Sequence, residues 1–382
     1  MNKQPLVSVF LPYYNDADYL SVSIESVLNQ TYENWELILC NHASTDNCRE
    51  IAHSYNDARI KHVDMARNEG AGGGLVFDAM LNAATGKYIK TLCADDALVS
   101  DCLETMVDFM ESNPNIDFSF GNLDYVDENG DTLNDTWFDS RSGFSKNDTE
   151  IDLIQKYING ISMLPYIGNI SKRDIFNKIE INKTLVMMFD MSLWLQLLCT
   201  GHKIAFVDKN VAKYRIHSGQ MSASGKEKWS MHVCQFEFRV FFTYLMNINN
   251  VELAKRVFHD SLFVDKLSDV RDIPFFVAHS MFNRQKPFWE IPLDKMLNDD
   301  ATREHLMSTF GFGVRELRDL RKADFKSENH EKQSYKNRLY YTSAENLDIL
   351  GLIFLLVRRT FHGLTLSKFR KRKSKQKKKY SL

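Results

Sequence analysis

From Leu6 onward, short apolar runs alternate with stretches whose apolar residues fall at helical spacing. "LVSVFLP", "WELILC", "RIKHV" and "KYIKTLC" read as strands, and Leu20, Ile24, Val27 and Leu28 between the first two read as one face of a helix. Such alternation predicts βαβ units and a largely parallel, doubly wound α/β sheet. Further on, Leu103, Met106, Val107 and Met110 recur at i, i+3, i+4, i+7, predicting a helix closed by Pro114, and "IDFSF" reads as the next strand. Asn129-Gly130 marks a hairpin turn that adds antiparallel strands. "MFDMSLWLQLLCTGHKIAFVD" predicts an apolar helix ending at Gly201 and then a strand. Between Lys226 and Ile273 there is neither Gly nor Pro, and Lys226 to about Phe325 reads as a helical second unit.

The chain has 382 residues, enough for two or three structural units of ordinary globular composition. Its net charge of −2 conceals a polarity: Arg358 to Leu382 carries 11 Lys/Arg and no acid, leaving 37 basic against 50 acidic residues elsewhere. "TSAENLDILGLIFLLVRR" opens with a capping-box pattern, Thr342 and Glu345, but its apolar centre, Ile349 to Val357, is far shorter than the roughly 20 residues a bilayer span needs. An apolar helix followed by a polybasic run is a two-signal device for holding a chain on an anionic membrane surface; alone, such a run is a solvated tail. No nucleic-acid motif accompanies it, so nucleic acid is not expected as a partner. The six cysteines show neither a disulfide framework nor zinc spacing, and the N-terminus lacks the pattern of a secretory signal. A reduced, cytoplasmic setting is expected.

The chemistry centres on "KTLCADDALVSD", where Asp95 and Asp96 stand side by side at a strand end. One of them starting the next helix would explain an Asp there; a divalent cation held between them would resolve their repulsion. Ligands of open α/β sheets bind at the carboxyl ends of strands, which is where the pair falls.

Several further motifs stand in register with that pair. "LPYYN", "NQTYENWELIL", "ASTD", "NEG", "GKYI" and the acidic pair resemble the family 2 glycosyltransferases, nucleotide-sugar enzymes of the GT-A fold. Two later segments, "MFDMSLWLQLL" and "AKYRIHSGQMS", extend the resemblance over roughly the first 225 residues. It implies an inverting hexosyltransferase with a GT-A domain at 1–225; the pattern beyond it adds a helical domain at 226–340 and a helix with polybasic tail at 341–382. It implies that Asp96 ligates Mg²⁺ or Mn²⁺ on the donor's diphosphate, that Asp95 meets the ribose or donor sugar, and that His217 reaches the metal or diphosphate. Asp190 would be the catalytic base; Pro12, Tyr13, Asn15, Asn41 and His42 would line the base and ribose pocket, with Tyr13 or Tyr14 stacking on the base or simply buried. Arg215 would pair with phosphate oxygens or cap a strand. The acceptor would be a glycan or lipid-linked sugar in surface polysaccharide or glycolipid assembly, reached from the inner face of the plasma membrane.

Four positions depart from the family pattern. Asn41 stands where an acid is usual and His42 where Asp or Asn follows it, Phe189 where a Glu precedes the base, and Gln196 where an Arg follows the Trp. These keep open a non-catalytic sugar-nucleotide-binding or scaffolding protein on the same fold. "GAGGG", Gly70 to Gly74, lacks the Lys-Ser/Thr of a P-loop and is expected to be a flexible loop beside the donor.

Overall fold

The computed structural model describes residues 4–70, 73–140, 145–160, 164–220, 228–282 and 286–331. The Thr342–Glu345 capping pattern, the apolar segment after it and the polybasic tail lie outside the described residues. No helix among the described residues is long and apolar enough to cross a membrane.

The strands are β1 (Val7–Tyr13), β2 (Trp35–Asn41), β3 (Ile60–Asp64), β4 (Tyr88–Thr91), β5 (Ala97–Leu98), β6 (Phe118–Val126), β7 (Thr132–Thr136), β8 (Asn169–Lys172) and β9 (Ile204–Arg215). They form one sheet in the order β3-β2-β1-β4-β8-β6-β9-β5, with β7 paired to β6. The pairs β1–β2, β2–β3, β1–β4 and β6–β9 are parallel; β4–β8, β6–β8, β6–β7 and β5–β9 are antiparallel. Strands β1 and β2 are buried almost throughout, and their near-continuous apolar runs are what a sheet covered on both faces requires. The Asn129-Gly130 turn joins β6 to β7, Gly130 N–H donating to Asp127 O at 3.0 Å.

The helices are α1 (Ala17–Leu28), α2 (Cys48–Ser54), α3 (Gly73–Ala83), α4 (Cys102–Ser112), α5 (Trp137–Ser140), α6 (Glu150–Ile158), α7 (Phe189–Cys199), α8 (Lys228–Thr243), α9 (Val251–Val257), α10 (Ile273–Phe282), α11 (Lys286–Asn298), α12 (Asp300–Phe310) and α13 (Val314–Glu331). Those after β9 supply the helical C-terminal part expected from the Gly- and Pro-free stretch. In α1, Leu20, Ile24 and Val27 turn inward, and in α4 Leu103, Met106, Val107 and Met110 do so, which is the amphipathic spacing in three dimensions. Thr149 and Asp152 close a reciprocal capping box at the start of α6.

Helix α7 is different, because it is buried all round. Every residue from Phe189 to Cys199 is buried except Asp190. Trp194 packs on Phe118 and Phe120 of β6 with ring centroids 6.0 and 5.2 Å apart. A single apolar core runs from Val7 through α7 to Leu317, so the C-terminal helices share a core with the sheet layers.

The first two glycines of α3 correct the part of the "GAGGG" expectation that falls on them. Gly73 and Gly74 begin the helix, and a Cβ on either would meet the carbonyl oxygen of Leu185 at 2.3 Å or of Asn182 at 2.0 Å. Their small size serves close contact with the segment leading into α7, not flexibility.

Candidate active site

Four strand ends meet at one edge of the sheet. At the end of β1, Asn15 takes a left-handed φ of 55°, and just after β2, Ala43 does the same at 56°. The two turns are tied together: Asn15 N–H donates to Ser44 Oγ (3.3 Å) and Asn15 Oδ1 accepts from Thr45 N–H (2.8 Å). Asn41 lies in register with Asp64 on β3 and donates from Nδ2 to its Oδ1 at 3.0 Å, while Arg49 pairs with the same carboxylate at 3.2 Å. His42 is 2% exposed and accepts the Glu69 N–H on Nε2 at 3.1 Å. Burial lowers its pKa and keeps the ring neutral.

The acidic pair lies in the turn between β4 and β5. Helix α4 begins later, with Asp101 at its N-cap, so neither Asp95 nor Asp96 starts a helix. Asp96 is 2% exposed and its Oδ1 accepts the Arg215 N–H at 2.8 Å, because β5 pairs with β9 just before the chain passes Arg215. Ser23 fixes the turn from α1, donating to the carbonyls of Ala94 (2.7 Å) and Asp96 (2.5 Å). Asp95 Oδ2 faces His217 Nε2 at 3.1 Å. Since His217 Nδ1 accepts the Gly219 N–H (3.2 Å), the ring proton belongs on Nε2 and is donated to Asp95.

Charge here is unbalanced. Burial, and then the neighbouring Asp95 carboxylate, push the Asp96 carboxyl well above the ordinary range, although Arg215 and the fully buried Lys90 pull it down. Asp16, beyond the end of β1, is pushed up to about 6, first by burial and also by Asp95. Cys93, Asp95 and Asp96 each offer a ligand atom, all within 4.8 Å of one another. This is a donor set that a divalent cation would fit, since it would relieve the repulsion among carboxylates.

Asp190 acts on the same sulfur as the acidic pair: the Cys93 thiol is pushed up, in descending order, by burial, Asp96, Asp95, Asp190 and Asp16. Burial pushes Asp190 up to about 6, against the hydrogen bond its Oδ1 accepts from Met191 N–H at 2.8 Å. The segment before it is held from α8: Glu237 accepts from the N–H groups of Val186 (2.7 Å), Met187 and Met188 (2.8 Å each). Gln196, one turn and a half further along α7, exchanges two hydrogen bonds of 3.0 Å with the backbone of Glu180.

The family model for glycosyl transferase family 2 matches residues 8–178. An uncharacterized glycosyltransferase of Methanocaldococcus jannaschii is 30% identical over 217 residues, 56% of this chain and 71% of the relative. The chain belongs to glycosyltransferase family 2. The Escherichia coli enzyme WfgD, a UDP-Glc:alpha-D-GlcNAc-diphosphoundecaprenol beta-1,3-glucosyltransferase, is 39% identical over 124 residues, 32% of this chain and 48% of WfgD. Among solved structures, S. aureus TarS 1-349 in complex with UDP superposes with a TM-score of 0.54 at 16% identity, covering 88% of this chain and 93% of that one. The fold is therefore GT-A.

Within this glycosyltransferase the expected site residues fall as follows. Pro12, Tyr13, Asn15, Asn41, His42, Asp95, Asp96, Arg215 and His217 lie at or just beyond the strand ends that form one edge, and Asp190 lies in the first turn of α7, its charge felt by Cys93 beyond the end of β4. Tyr13 is 3% exposed, whereas Tyr14 is 42% exposed, so Tyr14 is the ring available for stacking. Arg215 is buried, donating from Nε to Asp95 O (2.8 Å) and from Nη1 to the carbonyls of Asp127 (3.1 Å) and Glu128 (3.0 Å), with its guanidinium 4.9 Å over the Tyr19 ring. Those bonds tie the acidic turn to the β6–β7 hairpin. Sequence reasoning missed Asp16, Asp64, Cys93 and Glu237. Asp16 and Asp64 were open to discovery as acids at strand ends; Glu237 lies far along the chain from its partners and carries no local signal.

Proposed function

We propose that the chain is an inverting, metal-dependent glycosyltransferase that moves a hexose from a nucleotide sugar to a hydroxyl of a lipid-linked saccharide. The observation that supports this reading is Asp190, the one α7 residue that is not fully buried, whose charge acts on the same Cys93 thiol as those of Asp95 and Asp96. The relatives support the donor and acceptor classes, since WfgD is named for UDP-Glc and a diphosphoundecaprenol-linked sugar and TarS was solved with UDP.

Asp95 and Asp96 would hold Mg²⁺ or Mn²⁺, which supplies positive charge opposite the donor's diphosphate. His217, with its proton on Nε2, orients the Asp95 carboxylate, and Arg215 fixes the turn that carries both acids. Tyr14, Asn15, Asn41 and His42 form the wall for base and ribose. Asp190 accepts the proton of the acceptor hydroxyl while that oxygen bonds to the anomeric carbon and the bond from that carbon to the diphosphate breaks. The single displacement inverts the configuration, giving the glycoside, the nucleoside diphosphate and a protonated Asp190. A carboxyl pushed up to about 6 is a stronger base than an exposed one yet is ionised at neutral pH.

In this reading, residues 1–225 bind the donor, 226–340 frame the acceptor through the Glu237 contact with the segment before α7, and 341–382 rest on the anionic inner face of the plasma membrane. Deletion of residues 361–382 is expected to move the protein from membrane to soluble fractions; an unchanged partition would remove the membrane role. The activity is tested by incubating the chain with UDP-glucose, UDP-GlcNAc and other nucleotide sugars in Mn²⁺ and following nucleoside diphosphate release. Release that stops in Asp190→Asn and on chelation is expected. Absence of release from every donor, by protein that still binds nucleotide, would leave a binding role instead.

A further inference from the structure

We propose that the Cys93 thiol is a third ligand of the cation site, giving that site a preference for thiophilic divalent cations, Cd²⁺ and Zn²⁺ foremost, over Mg²⁺. The inference deepens the proposed function, because it rests on a cation being held at Asp95 and Asp96.

The geometry is that of a mixed sulfur and oxygen set. Cys93 follows the end of β4, two residues before Asp95, and the turn folds its sulfur back toward both carboxylates so that the three donor atoms lie within 4.8 Å of one another. Metal–ligand bonds of about 2.0–2.3 Å let two ligands of one ion stand up to roughly 4.5 Å apart, so small side-chain adjustments close the set. One oxygen of each carboxylate is committed to the protein, Asp96 Oδ1 to Arg215 N–H and Asp95 Oδ2 to His217. The other oxygen of each remains for an ion.

Its chemistry separates it from an all-oxygen site. Mg²⁺ takes hard oxygen ligands in strict octahedra, whereas thiolate sulfur selects softer ions. Binding exchanges the S–H bond for an S–metal bond and releases one proton to solvent. Of the six cysteines, Cys40, Cys48, Cys102 and Cys199 are buried away from solvent, and only Cys93 and Cys234 are partly exposed.

The test uses the reduced, metal-free full-length chain titrated with Cd²⁺ alone, read by the ultraviolet thiolate-to-metal charge-transfer band. A band saturating at one equivalent is expected in the wild type and in Cys234→Ser, and none in Cys93→Ser. Cys93→Ala serves as the second sulfur-free variant, with circular dichroism confirming that one of the two is folded. Asp95→Asn, which keeps every thiol, should need about 10- to 100-fold more Cd²⁺. Cys93→Asp should shift the measured Mg²⁺-to-Cd²⁺ preference at least about tenfold toward Mg²⁺. No band in the wild type, or an unchanged band in the folded sulfur-free variant, overturns the inference. The readout needs no nucleotide: donor cleavage without the band would leave the proposed function standing and sink only the thiol ligand, and a band without cleavage of any donor would do the reverse.

Discussion

Glu237 Oε2 accepts the backbone N–H of Met188 at 2.8 Å, two residues before Asp190. The same carboxylate takes the N–H groups of Val186 and Met187, so one buried side chain of α8 satisfies three successive backbone donors leading into α7, the last of them at its N-cap. Its negative charge sits at the positive end of the helix, and each bond is charge-assisted.

Replacing Glu237 by Ala should therefore lower stability by about 2–4 kcal/mol, since buried N–H groups lose their acceptor. Its second effect is on chemistry. Glu237 adds to burial in holding the Asp190 carboxyl up, so Glu237→Gln should move the acid limb of the kcat/KM profile to lower pH while changing KM for the donor little. Urea unfolding and a pH–rate profile measure the two effects. An acid limb that stays in place in a folded Gln variant would show that the contact is structural only.

Asp190 itself gives opposite expectations for activity and stability. As the base it works ionised, so kcat/KM should fall as the pH drops through about 6. Asp190→Asn should reduce turnover about 10²- to 10⁴-fold. For stability the sign follows from the raised folded value. The folded state binds the proton more tightly than the unfolded chain does, so ionised Asp190 opposes folding above about 6 and the penalty disappears as the pH falls below its ordinary range near 3.8. Asp190→Asn should then be more stable than wild type at pH 8 by roughly 1–3 kcal/mol, with the gap closing toward pH 4. Thermal unfolding across that range decides it; a gap independent of pH would mean that the carboxyl is not held up.

These contacts show what a single sequence could and could not convey. Strands β1 to β4 and helices α1 and α4 were legible because local periodicity and burial agree, and the motif spacing placed Asp95, Asp96 and Asp190 at strand and helix ends. The partnership between residues was not legible, because it depends on pairs far apart in the chain. Asp96 with Arg215, Asp95 with His217, and Glu237 with Met188 are each made by tertiary closure. Gly73 and Gly74 of "GAGGG" misled for the same reason: flexibility and close packing call for the same residue, and only the approach of Asn182 and Leu185 distinguishes them.

The opposite end of the sheet explains motif residues that do no chemistry. Glu36 of "WELIL" is buried, and burial alone would raise its pKa. Bonds from Lys61 (2.6 Å), Ser8 Oγ (2.6 Å) and Thr85 N–H (2.6 Å) outweigh that and hold it at about 2. Gly86 of "GKYI" donates its N–H to the same Ser8 Oγ at 2.9 Å, and a Cβ there would meet Ser8 N and Oγ at 2.7 Å. Gly86→Ala should break this network at a cost of about 2–4 kcal/mol. Because the folded value of Glu36 is depressed, its stabilisation is present above about 4.5 and is lost as the pH falls toward 2. Glu36→Gln should then show little of the wild-type loss of stability over that interval, measured by urea unfolding at successive pH values.

The last expectation concerns the left-handed turn behind the donor wall. Ala43, at φ 56°, is a residue with a Cβ in a conformation that costs L-residues about 1–2 kcal/mol. The turn is retained because Ser44 and Thr45 reach back to Asn15, which is itself left-handed at φ 55°. Ala43→Gly removes the steric penalty but frees the unfolded chain by about 0.5–1 kcal/mol, so the net should lie between neutral and about 1 kcal/mol stabilising, with donor KM unchanged. Ala43→Val places a β-branched side chain where the Cβ already crowds the carbonyl. It should destabilise by about 2 kcal/mol and raise donor KM, since relief of the clash would pull Ser44 and Thr45 from Asn15. Denaturant unfolding with donor kinetics on both variants tests the point, and a Val variant as stable as wild type would show that the turn relaxes without disturbing the wall.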